Sequence, residues 1–129
     1  SSDRAEHDKA LALLEAVGFS DRQGVEVRHL SHGEQRQLEI VLGLASDPKI
    51  LLLDEPAAGL SSGESREMAR FLLRLDPGLA MLLIEHDMDV VFDVADNVTV
   101  LHFGQIVESG KAGDIRGSAR VREIYLGTA

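Results

Sequence analysis

The chain has 129 residues, enough for one domain and short for two. Its 44% hydrophobic content permits a sizeable core, but with 4% aromatics and no Trp that core must be filled by aliphatic side chains. A formal net charge of -9 argues against a nucleic-acid surface, which needs a basic stripe, and the lack of cysteine excludes disulfides and thiolate metal sites.

The longest apolar runs, such as Ile50 to Leu53 and Met81 to Ile84, are too short to cross a bilayer. No leader peptide is visible, and the start at Ser1-Ser2 without Met suggests a segment excised from a longer protein. Asp3 to Val17 is predicted to be a helix, with Ala10, Leu13, Leu14 and Val17 on one stripe and Gly18 as its stop. Phe19 to His29 is polar and reads as a loop. A second helix starts near Ser31, carries Leu38, Val41, Leu42 and Ala45 on one face, and ends at Asp47-Pro48, because proline disfavours a helical residue before it. Ile50 to Leu53 suits a parallel strand covered on both faces.

Ser61 to Leu75 is the third predicted helix, with Met68, Phe71, Leu72 and Leu75 on one side. After a turn at Asp76-Pro77-Gly78, Met81 to Ile84 reads as another buried strand and Asp87 to Ala95 as a short helix. Val98 to Phe103 and Gln105 to Glu108 form two strands turning at Gly104, and Ser118 to Leu126 a last helix closed by Gly127. Strands alternating with helices imply an α/β fold built on a parallel sheet.

Four clusters carry chemistry. In Leu30-Ser31-His32-Gly33-Glu34-Gln35, Ser31 and Glu34 have the spacing of a capping box. The same helix N-terminus, with a hydroxyl and a glycine, also suits a phosphate, because free N–H groups and the helix dipole favour an anion. In Ile50 to Pro56, four aliphatics end in Asp54 and Glu55, at what should be the C-terminal end of a strand, where open α/β sheets bind ligands. An Asp there can hold Mg2+ on nucleotide phosphates, and a Glu beside it can orient or deprotonate a water; two solvated turn acids would look the same. Leu83-Ile84-Glu85-His86-Asp87 ends a second strand on a histidine, which is either a phosphate contact or a loop residue before a helix capped by Asp87. Ala58-Gly59-Leu60-Ser61 opens the third helix, with Ser61 and Glu64 again at capping-box spacing.

Taken together, in this order, the clusters resemble the ABC ATPase family over nearly the whole chain. Leu30 to Gln35 is similar to the family's signature loop, Leu51 to Glu55 to its Walker B strand and catalytic glutamate, Ala58 to Ser61 to its D-loop, and His86 to its switch histidine. The chain departs from the pattern where His32 replaces a signature glycine, Glu34 stands for the usual Gln, and Ser61 for the usual D-loop Asp. Ser-His-Gly-Glu, Asp-Glu-Pro-Ala-Ala-Gly-Leu, Ile-Glu-His-Asp-Met and the stretch from Val121 to Gly127 resemble ATP-binding subunits of bacterial branched-chain amino-acid importers, and relatives proposed to import urea or short amides.

The resemblance implies a partial P-loop NTPase fold: residues 1–47 from the helical subdomain, and residues 48–129 from the RecA-like core with a C-terminal hairpin and helix. It implies ATP and Mg2+ as cofactors, bound only in the full-length dimer. Asp54 would hold the metal through water, and Glu55 and His86 would be catalytic. Ser31, Gly33 and Glu34 would contact ATP held by a partner subunit, with Gly59 and Ser61 in the D-loop between the two sites. The implied partners are a second ATPase subunit and transmembrane permease subunits, with no nucleic acid, at the cytoplasmic face of a bacterial inner membrane.

A Walker A loop needs Gly-x-x-x-x-Gly-Lys-Ser/Thr. The only Gly-Lys pair here, Gly110-Lys111, is followed by Ala112, and its earlier glycine would fall on Gln105. The isolated chain is therefore expected to be inactive, and its partial sheet to expose an edge that invites association with another chain. Two other readings fit the family: a non-catalytic binding or dimerisation module, and a soluble ABC ATPase of repair or translation.

Overall fold

The computed structural model describes residues 2–125 and 127. They fall into two compact units, residues 1–86 and 87–129.

The first unit opens with helix α1 (Ser2–Ala16), followed by Gly18 in the left-handed region at φ +82. The predicted loop after it holds two single 3-10 turns, Ser20–Arg22 and Val27–His29. Helix α2 (His32–Leu44) starts at Ser31, whose hydroxyl accepts from Glu34 N–H while Glu34 accepts from Ser31 N–H, so the predicted capping box is complete. Strand β1 (Ile50–Asp54), helix α3 (Ser62–Leu73) and strand β2 (Ala80–Ile84) follow. Helix α3 carries a second complete box, between Ser61 and Glu64. Met68 and Phe71 on α3 are fully buried, and Val17, Phe19, Leu30, Ile40, Val41 and Leu72 of the same unit are buried as well.

β1 and β2 pair in parallel with no slip, from Ile50 opposite Ala80 to Asp54 opposite Ile84. A run of four aliphatics suggested cover on both faces, and the structure corrects this. Leu51 is buried, and its Cδ1 lies 3.8 Å from where a Cβ on Gly43 of α2 would sit. Ile50, Leu52, Leu82 and Ile84 on the alternate positions are 57–71% exposed. The apolar run reports that a strand is suited to burial on both sides; it does not say which chain supplies the second layer.

The second unit holds helix α4 (Met88–Val94), strands β3 (Asn97–His102) and β4 (Gln105–Lys111), and helices α5 (Ala112–Arg116) and α6 (Ala119–Tyr125). Asp87 caps α4 through its side chain, as expected. β3 and β4 pair antiparallel with a bulge after Val100. Phe103 and Gly104 at the turn have φ +49 and +75, the twist a two-residue hairpin needs. Val98, Val100, Ile115 and Val121 form a core with Met88, Val91, Phe92 and Val107 packed around it. Helix α5 was not predicted: five residues are too few for a periodic stripe, and Gly113 reads as a breaker. The predicted end of the last helix at Leu126 lies outside the described residues.

Candidate functional site

The candidate residues gather into two groups within the first unit. One stands where β1 and β2 end. Asp54 is the last residue of β1 and is exposed at the strand's C-terminal end. Glu55 follows with φ +49, an unusual value for a residue bearing a Cβ, and its N–H donates to Ile84 O at 2.7 Å. That bond extends the strand pairing by one step and turns the side chain out of the sheet's alternation. His86, beyond the end of β2, brings Nδ1 to 3.0 Å from Glu55 Oε1. Two residues that are 31 apart in sequence thus meet at one strand end.

Glu85 supplies the frame under this pair, a role that sequence reasoning missed. Its side chain is completely buried. Oε2 accepts from Ala57 N–H and Oε1 from His86 N–H, each at 3.0 Å. One buried carboxylate therefore pins the turn after Glu55 to the backbone of His86. The available signal was an acid placed between an apolar strand and the histidine, where a strand-end acid has no reason to be buried unless it is bonded.

The second group surrounds a cleft of about 560 Å³ whose lining includes Arg22, Ser31, Gly33, Ser61, Glu64 and Arg74. Ser31 and Ser61 are each the N-cap of a helix, so their hydroxyls are already engaged with Glu34 and Glu64 N–H at 3.1 and 3.2 Å. The second oxygen of Glu34 pairs with Arg22 Nε at 3.1 Å. Glu64 is also used twice: Oε1 accepts from Ser61 N–H at 3.2 Å and Oε2 from Gly33 N–H at 2.9 Å. These bonds hold the Glu64 carboxyl below its ordinary value, the Gly33 N–H most, then Ser61 through its N–H and hydroxyl, with His32 adding a smaller attraction. Gly59 has φ +76 and open space where a Cβ would stand, so its glycine serves the backbone bend of the loop. Arg36 of α2 ties that loop down, donating to Ala58 O at 3.2 Å.

A bound Mg2+ would suit the first group. No cluster of three or more metal-ligating side chains exists among the described residues. Mg2+ on a nucleotide requires only one or two carboxylates, with phosphates and waters completing its shell, and exposed Asp54 offers one such carboxylate.

Residues 2–58 match the ABC transporter family. The branched-chain amino acid transport ATP-binding protein LivG of Escherichia coli K12 is 37% identical over 124 residues, covering 95% of this chain and 49% of that protein. BraF of Pseudomonas aeruginosa, of the same description, is 35% identical over 99% of this chain and 51% of its own length. The methionine import ATP-binding protein MetN of Mannheimia succiniciproducens is 38% identical over 84% of this chain and 32% of its own. Among solved structures, the ADP conformation of MJ1267, an ATP-binding cassette of an ABC transporter, superposes with a TM-score of 0.79 at 29% identity, covering 96% of this chain and 51% of that one. The chain thus spans about half the length of the branched-chain relatives it matches; the ABC transporter family match lies in residues 2–58, and the likeness to ABC transporter ATP-binding proteins runs over nearly the whole chain.

Proposed function

We propose that the chain is the C-terminal segment of an ATP-hydrolysing ABC transporter subunit that powers import of a small solute, branched-chain amino acids being the solute named for LivG and BraF. The observation that carries this is the meeting of Glu55 and His86 at 3.0 Å where two parallel strands end, beside Asp54. Residues 1–47 would belong to the helical subdomain and residues 48–129 to the nucleotide-binding core. No helix among the described residues is long and apolar enough to cross a membrane, so the segment would reach the bilayer through permease subunits, on its cytoplasmic face.

In this reading Glu55 orients and deprotonates a water. His86 occupies its Oε1, which leaves Oε2 for that water. The histidine fixes the carboxylate through Nδ1, and its other ring nitrogen would be available to a phosphate. Asp54 would hold Mg2+, and the ion would supply neutralisation of the phosphate oxygens when MgATP is bound. Glu85 keeps the Glu55 turn and the His86 backbone in register. Ser31, Gly33 and Glu34 face the nucleotide of a second subunit in a head-to-tail dimer, with Gly59 and Ser61 in the loop between the sites. The isolated 129 residues contain no Gly-x-x-x-x-Gly-Lys-Ser/Thr loop, and are expected not to hold MgATP.

Glu55→Gln in the complete subunit tests the reading. Loss of a general base costs a factor of about 10² to 10⁴ in turnover. Nucleotide binding should survive, as followed by equilibrium dialysis. Turnover retained in Glu55→Gln would remove Glu55 from the role of base.

A further inference from the structure

We propose that Glu64 is a positioning residue that locks the loop carrying Ser61 to the helix N-terminus carrying Ser31, its single carboxylate bridging the N–H groups of Ser61 and Gly33. The inference rests on the reading of these two segments as parts of the composite ATP site. A capping box needs one carboxylate oxygen, which returns to its own cap. Both boxes in this chain have a second oxygen to spend. Glu34 turns its own toward Arg22, whose side chain is 44% exposed. Glu64 turns its own onto a backbone N–H of another helix, 31 residues away. Gly33 is at the second helical position of α2, where N–H groups have no partner within the helix. It is nevertheless buried, and a Cβ there would come to 3.1 Å from Glu64 Oε2, so the glycine makes room for the carboxylate. A second tie runs parallel to the first: Arg36, one turn further along α2, holds Ala58 O. With α2 bonded at both Ala58 and Glu64, residues 58–64 and the start of α2 move as one body. Displacement of Ser61 is then passed to Ser31 by rigid contact.

The chemistry separates the variants. The two N–H groups are held by different oxygens, so Glu64→Gln in the same pose sets an NH2 donor against one of them and loses that bond. Aspartate is one methylene too short to span the two. In the 129-residue chain, amide exchange at Gly33 reads the bridge directly, because an uncapped second-position N–H exchanges nearly freely. Exchange at Gly33 should accelerate about tenfold or more in Glu64→Ala, the usual weight of a bond to a charged acceptor, while amides in β1 keep their rates. Unchanged exchange at Gly33 would overturn the bridge. In the complete subunit, Glu64→Gln and Glu64→Asp should each lower kcat for ATP about tenfold by the same reckoning, with KM nearly unchanged, since Asp54, Glu55 and His86 are untouched. A kcat equal to wild type, in a subunit that Glu55→Gln silences, would sink the positioning role and leave the ATPase reading standing. A wild-type subunit without ATPase activity would sink the ATPase reading and the role that rests on it, and exchange at Gly33 would still decide whether the bridge exists.

Discussion

The two sheets of this chain were made in opposite ways. β3 and β4 are neighbours in sequence, join through a two-residue turn, and have Val98 and Val100 on one face buried against the side chains of α5 and α6. β1 and β2 are parallel, need helix α3 to bring them side by side, and bury only one face. The antiparallel pair tolerates a wet face, whereas parallel strands made of Ile and Leu do not normally present one. The difference teaches where the sheet expects more polypeptide: on the side of Ile50, Leu52, Leu82 and Ile84. The candidate site residues Asp54, Glu55 and His86 also extend from this pair of strands.

The comparison can be broken at its cores first. Phe71→Ala empties a fully buried site beneath the first unit and should cost about 3–5 kcal/mol, against about 2–5 kcal/mol for Ile115→Ala in the second. Denaturant unfolding followed by amide exchange should show the first loss at β1 and β2 and the second at β3 and β4. The same protection pattern from both variants would mean that the two sheets do not stand on separate cores.

The open face gives a smaller effect with a clear sign. Leu52 is 71% exposed, so Leu52→Lys should change the stability of this chain by no more than about 0.5 kcal/mol. It should also reduce light scattering at high concentration, because the exposed apolar patch drives association. A large loss of stability would show that Leu52 is covered in solution.

The smallest effect is on the acid limb. Glu64 has a depressed folded-state carboxyl, so its contribution is present above the ordinary glutamate range and is lost as pH falls through the lowered value. Asp21, Arg22, Glu34, Glu67 and Arg74 line the same cleft, and His32 lies close enough to act on the carboxyl. Melting temperature against pH should fall less steeply in Glu64→Gln than in wild type below the ordinary glutamate range; parallel curves would remove Glu64 from the acid response.

Local patterns carried most of the architecture. The capping boxes at Ser31 and Ser61, the cap at Asp87, both strand ends and the turn at Gly104 were all legible, because each depends on residues within a few positions of one another. The resemblance to a family placed Glu55 and His86 in one candidate site, but their pairing was not legible, since nothing local joins residues so far apart. Glu85 and Glu64 were opaque for the same reason: burial and a second bond are properties of the fold. The bare face of β1 and β2 was opaque because a four-residue aliphatic run states a preference for burial and not its fulfilment.

The backbone at residue 55 has a consequence for how such a site can change. A left-handed conformation costs a residue with a Cβ about 1–2 kcal/mol, and glycine nearly nothing. Glu55 adopts it at φ +49, held by its bond to Ile84 O. Drift toward glycine at this position would therefore make the fold more stable while deleting the carboxylate that meets His86. Ease of the backbone and the presence of the proposed catalytic acid therefore pull residue 55 in opposite directions.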